Sequence, residues 1–183
     1  IRSSQKLAFI GPYIDNYEIC SSWAVTGHPK DSITVRQAAE ELLPDSDLTF
    51  CHGTSLLPRD YVFTGFAEPN HAEEFYADVF ADPEKALADA VAAAKAADVV
   101  ILCLGEHYLQ TGEATSRTEL SLPENQMELF RAVRAANPNV AVVLFNGRPL
   151  LLDELSRDAA AILEAWFPGT EGGHAILDLL TGT

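Results

Sequence analysis

The chain has 183 residues, enough for one full domain and too few for two of ordinary size. Hydrophobic residues make up 48% and charged residues 21%, a globular balance, and about two-thirds of the unfolded surface can be buried at such a length. Twelve Lys and Arg stand against 27 Asp and Glu, a formal net charge of −15, so nucleic acid or an anionic membrane surface makes an unfavourable main partner.

Residues 6–10 are a short apolar run that stops at Gly11-Pro12, and they read as a strand. Residues 34–43 read as a helix: Thr34 and Gln37 have the spacing of a capping box, and Pro44 ends it. Residues 48–51 form a second short strand. Residues 53–81 are the least regular part, with Pro58, Pro69 and several aromatics, and are expected to run over the surface as an excursion. Asp82 then caps an Ala-rich helix with Pro83 at its first position, reaching residue 97.

Residues 98–104 are almost unbroken hydrophobic, the pattern of a strand buried on both faces. Ser121 and Glu124 have capping-box spacing and predict a helix over 121–136, with Met127, Phe130 and Val133 on one side. Residues 140–145 and 159–165 read as two more strands, and 170–180 as a last helix. Strands alternating with helices imply an α/β fold: a three-layer α/β/α sandwich with a mostly parallel sheet, flavodoxin-like and doubly wound, forming a single domain over 1–183.

No stretch reaches the roughly 18 apolar residues of a membrane span. The cysteines Cys20, Cys51 and Cys103 are too few and scattered for a disulfide framework or zinc site. Cys51 and Cys103 lie in apolar runs and are expected to pack as small hydrophobes. The five histidines, His28, His52, His71, His107 and His174, lack ligand-like spacing, so no metal is expected. A phosphate loop, a Gly-x-Gly-x-x-Gly turn and a Gly-x-Ser-x-Gly elbow are all missing, so neither a nucleotide cofactor nor a serine nucleophile is expected. The first residues, Ile1-Arg2, carry no Met and no leader-like segment, which predicts a piece of a longer protein.

In a parallel sheet, ligands sit outside the carboxyl ends of the strands. Four polar, Gly-rich segments leave those ends: 11–16 with Asp15, 105–117, 146–149, and 166–173. The second of these holds Glu106, His107, Glu113 and Arg117. A carboxyl on such a loop can act as general acid or base once partial burial holds its proton. Arg117 can orient an anionic group, or Glu113 and Arg117 can simply pair on the surface. Arg148 can tie neighbouring loops together by holding carbonyls. Trp166 can wall a sugar ring or pack against another domain, and the Gly-rich start of the last helix can hold an anion.

Taken in order, Gly105-Glu106, Gly112-Glu113-Ala114-Thr115-Ser116-Arg117, Leu122-Pro123-x-x-Gln126, Asn146-Gly147-Arg148-Pro149 and Glu164-Ala165-Trp166-Phe167-Pro168-Gly169-Thr170-Glu171-Gly172-Gly173 resemble the second domain of family 3 glycoside hydrolases. Bacterial β-glucosidases are the nearest in pattern, and Gly11-Pro12, Asp15-Asn16 and Ser22-Trp23 fit their start. The resemblance implies a retaining enzyme of two parts acting on a β-linked glucoside or oligosaccharide. An upstream barrel, absent here, would carry an aspartate nucleophile, and this domain would lend the general acid/base. The two carboxyls of a retaining enzyme stand about 5–5.5 Å apart.

By the same resemblance Glu113, the Glu before Ala-x-Ser-Arg, is the acid/base, with Glu106 its competitor. Arg117, His107 and Arg148 are supports, and Trp166 and Asp15 belong to a rim facing sugar or barrel. The isolated chain is expected to be inactive. The alternatives are a non-catalytic sugar-binding or domain-packing module, or a β-xylosidase or N-acetylhexosaminidase in place of a glucosidase.

Overall fold

The sheet has five strands, all parallel: β1 (Lys6–Ile10), β2 (Asp47–Cys51), β3 (Val99–Gly105), β4 (Val140–Phe145) and β5 (Ala161–Glu164), ordered β2-β1-β3-β4-β5. This is the doubly wound, flavodoxin-like order expected from the alternating pattern. The computed structural model describes residues 1–2, 4–24, 27–61 and 72–183, so Pro69 and His71 lie outside the described residues. Among the described residues there are six α-helices, and none is long and apolar enough to cross a membrane.

Successive side chains of a strand point to opposite faces, and the two cores divide accordingly. Leu7, Phe9, Ile101, Cys103, Val143 and Phe145 face one core, shared with α1 (Val35–Leu42), α2 (Ala72–Ala81) and α6 (Gly172–Thr181). Ala8, Ile10, Val100, Leu102, Leu104, Val142 and Leu144 face the other, against α3 (Pro83–Ala96), α4 (Glu124–Ala136) and α5 (Asp153–Asp158). Cys103 is fully buried, while Cys51 is only partly so.

Local signals at two helix starts hold. Thr34 and Gln37 form the reciprocal capping box of α1, and Asp82 caps α3 with Pro83 in the first turn. The box predicted at Ser121 and Glu124 does not form. Pro123 is the cap residue of α4 and Ser121 Oγ donates to Glu119 instead. The reason is Leu122: a residue before proline is pushed out of the helical region, so the helix cannot begin there.

Two further elements differ from the sequence reading. The stretch 53–81 does not stay irregular, because its last part is α2, kinked at Tyr76. Tyr76 turns into the core and donates its hydroxyl to Pro12 O at 2.9 Å. The segment before β5 contains the short helix α5, so that strand starts at Ala161 and not at 159.

The pairing of β1 with β3 ends at Leu102, three residues before Gly105, leaving Gly105 without a strand on that side. Gln126 of α4, wholly buried, fills the place. It accepts from Gly105 N at 2.9 Å and donates to Gly105 O at 2.8 Å and Leu56 O at 2.7 Å. On the other side β4 comes so close that a Cβ on Gly105 would lie 1.9 Å from Phe145 O. Gly105→Ala should therefore push the central strands apart and cost at least about 1–3 kcal/mol. The check is a lower urea midpoint with an unchanged denaturant slope.

Candidate active-site rim

Because every strand runs the same way, all the carboxyl ends open onto one edge of the sheet. His52 follows β2, Glu106 and His107 follow β3, Asn146 to Arg148 follow β4, and Trp166 stands two residues beyond β5. Pro12 to Asp15 leave β1 on the same side. The segments predicted to gather there do so.

Glu106 is the most enclosed charged group of the rim, with no exposed surface. One of its carboxylate oxygens meets Arg117 Nη1 at 2.6 Å and Arg148 Nε at 3.2 Å. The other accepts the N–H of Gly147 at 3.1 Å. Its backbone carbonyl takes the hydroxyl of Tyr13, whose ring stacks on Phe145. A buried carboxylate needs such pairing to offset its lost hydration. The simple alternative of a surface pair between Glu113 and Arg117 is thus not what forms: Arg117 turns inward to Glu106 and also donates to Ser121 O at 3.1 Å.

Glu113 lies at the exposed tip of the same loop and makes no hydrogen bond or ion pair with a described residue. Gly112 before it has φ +105, and a Cβ there would meet Ser22 Oγ at 2.5 Å, so only glycine lets Ser22 and Trp23 pack beside the loop. Ser22 Oγ donates to Thr111 O at 3.1 Å, and Thr115 Oγ1 donates to Gly112 O at 2.7 Å. Ala114 after Glu113 is itself left-handed, with φ 59.

His107 starts the short 3-10 turn Tyr108–Gln110. Its Nδ1 accepts from Leu109 N at 3.1 Å, and Gln110 closes the box by accepting from His107 N. The Leu109 bond places the ring proton on Nε2, 3.7 Å from Glu18. Burial pushes the His107 pKa down to about 4, so the ring is neutral at neutral pH and serves as a structural support of the loop. Trp166 is 47% exposed and left-handed, with φ 55, an uncommon conformation for a bulky residue. The start of α6 offers no free anion site at Gly173, whose N–H donates to Ile33 O at 3.0 Å.

Asp15 belongs to a cluster the sequence did not reveal. His52 Nε2 lies 2.8 Å from Asp15, its Nδ1 lies 3.1 Å from Asp78 of α2, and its ring stands edge-on to Tyr76. Burial works against a charge on His52, but the Asp15 hydrogen bond and the two carboxylates outweigh it, and the pKa is raised. Nothing in the spacing of residues 15, 52 and 78 points to this contact. Among the described residues no group of three His, Cys, Asp or Glu is placed to hold a metal.

These contacts make two stability predictions. Glu106→Ala leaves two partly buried guanidinium groups short of their counter-charge and should cost about 3–5 kcal/mol. Glu113→Ala, at a free exposed site, should stay within about 0.5 kcal/mol of the parent. Urea unfolding of the two variants checks the contrast. For His52 the folded pKa lies above the unfolded value of about 6.5. Its stabilisation is therefore full below that value and is lost as the pH rises through the raised one. His52→Gln should lower the urea midpoint at about pH 6 and much less at about pH 9; an equal loss at both would assign the effect to packing.

The comparisons with known proteins agree with this geometry. The family model described as "Glycosyl hydrolase family 3 C-terminal domain" matches residues 1–183. A periplasmic β-glucosidase of Salmonella typhimurium is 35% identical over 184 residues, covering 100% of this chain and 24% of that protein. A β-xylosidase of Formosa agariphila is 34% identical over 105 residues, covering 57% of this chain and 14% of that protein. A mutant β-glucosidase from Listeria innocua, solved in complex with laminaribiose, superposes with a TM-score of 0.74 at 33% identity. That match covers 100% of this chain and 22% of the Listeria chain, so the present chain spans about a quarter or less of these relatives. With all 183 residues matched and a five-stranded parallel sheet of the same fold, the chain belongs to the glycosyl hydrolase family 3 C-terminal domain family.

Proposed function

We propose that this chain is the acid/base-donating domain of a retaining β-glucosidase, with Glu113 as the proton-transferring carboxyl. The observation that carries the reading is the unequal state of the loop's two carboxylates. Glu106 is wholly buried and committed to Arg117, Arg148 and Gly147, whereas Glu113 is exposed and unpaired at the loop tip. Only the second is free to approach a glycosidic oxygen. The nucleophile would be an aspartate of a preceding barrel domain, and Asp15 and Trp166 lie on the rim that such a domain would face.

In the first step Glu113, as the acid, gives its proton to the glycosidic oxygen while the bond from that oxygen to the anomeric carbon breaks. The aspartate carboxylate forms its bond to the same carbon, and the alcohol departs. In the second step Glu113, now a carboxylate, takes a proton from water. The water oxygen bonds to the anomeric carbon as the ester to the aspartate breaks. A second domain over the rim would exclude bulk water from the reacting centre. The β-glucosidase relatives, one of them bound to laminaribiose, support β-linked glucosides as the substrate class. The β-xylosidase relative makes β-xylosides the first competitor to assay.

In the full-length enzyme, Glu113→Ala should slow aryl β-glucosides with poor leaving groups by about 10²–10⁴-fold and activated ones far less. Azide, a nucleophile that needs no base, should restore turnover of the activated substrates. Loss of this pattern, or its appearance in Glu106→Gln instead, would overturn the assignment. A rate unchanged by Glu113→Ala would favour a non-catalytic packing or sugar-binding module. The purified 183-residue chain should hydrolyse none of these substrates.

A further inference from the structure

We propose that Arg148 is a positioning residue for Glu113: its guanidinium, balanced by Glu106, grips the loop on both sides of Glu113 and sets where that carboxyl stands. The proposal rests on the assignment of Glu113 as acid/base.

Arg148 projects from the turn that ends β4, the strand beside β3 in the centre of the sheet. One of its terminal nitrogens donates both to Gln110 O and, at 2.9 Å, to Thr115 O. Those carbonyls lie three residues before and two residues after Glu113, so one rigid group closes the base of the arc that carries it. Within the arc, Thr115 Oγ1 bridges to Gly112 O, and Ser22 Oγ holds Thr111 O. Gly147 also seats the loop: a Cβ there would lie 2.4 Å from the Thr111 methyl.

The backbone beside Glu113 is itself in an uncommon conformation. Ala114, next to Glu113, sits at φ 59, a left-handed conformation that is unfavourable for alanine. Such a residue persists only where its surroundings over-determine it. The two carbonyls held by Arg148 lie four residues before Ala114 and one residue after it. Lysine cannot reproduce the grip, because its ammonium is a point charge on a flexible stem, while guanidinium is a planar fork of fixed geometry. Loss of Arg148 still leaves Glu106 paired with Arg117 at 2.6 Å, so the buried carboxylate keeps a counter-charge.

The test compares Arg148→Lys, Arg148→Ala and Glu113→Ala in the full-length enzyme, using aryl β-glucosides that span a range of leaving-group pKa. Arg148→Lys is expected to keep a melting temperature near that of the parent. Its kcat should fall by about 10- to 100-fold on poor leaving groups and little on activated ones. Amide exchange over residues 111–115 should quicken in the same variant. Arg148→Ala should show the same slope, more steeply.

A fall that is uniform across the series, or an unchanged series with unchanged exchange, would overturn the positioning role while Glu113→Ala keeps its own leaving-group dependence. A flat series in Glu113→Ala would overturn the acid/base assignment, and this proposal with it. If Arg148→Ala does not fold, Arg148→Lys alone decides.

Discussion

A carboxylate with no exposed surface stands at the end of the central strand, and much of the rim is arranged around it. Glu106 loses its hydration entirely, and the loss is tolerable only because Arg117, Arg148 and the Gly147 N–H surround its two oxygens. These partners come from the loop after β3 and the turn after β4. A single charge therefore fixes two loops relative to each other. Tyr13 adds the loop after β1 by donating to the Glu106 carbonyl. The enclosed charge cannot be half-satisfied without a large cost, so this part of the rim has one well-defined arrangement.

The sheet supplies the platform for that arrangement. Its strands all run the same way, so polar segments far apart in sequence leave it on the same edge. The central pair β3 and β4 is buried on both faces and carries the Glu106 and Arg148 ends. Where β1 stops early, the buried amide of Gln126 takes over the hydrogen bonds of Gly105. Its neighbour Asn125 ties in Thr54 and Ser55 at 2.9 and 2.7 Å, so the segment after β2 is drawn to the same place. On the far side, His52 joins the loop after β1 to α2 through Asp15 and Asp78.

A division of labour between the loop's two glutamates follows from burial. Both are preceded by glycine and both stand in one loop, yet they meet opposite environments. Glu106 is held by the interior and shapes the loop. Glu113 faces outward from a backbone that is constrained on both sides, and its proposed acid/base role rests on that contrast. The chain belongs to the glycosyl hydrolase family 3 C-terminal domain family and spans about a quarter or less of the relatives described above.

Residues in local contact made themselves legible in the sequence. Unbroken apolar runs identified β3 and β4, because strands buried on both faces need no polar alternation. Thr34 with Gln37, and Asp82 with Pro83, marked two helix starts because a cap acts over three residues. The ordered motifs pointed to the family for a different reason: they follow the chain. What the sequence could not settle depends on approach through space. Ser121 and Glu124 had the spacing of a cap, but Pro123 barred Leu122 from the helix. Glu106 and Glu113 looked alike until Arg148, more than thirty residues away, was folded back against the first and around the second. His52 met Asp15 and Asp78 only when three separate elements converged. Sequence alone determined the five strands, four of the six helices and the family, since these rest on short-range sterics, periodic burial and motif order. Tertiary structure decided which carboxylate is locked and which is free, since that is set by desolvation and by charges brought together from distant parts of the chain.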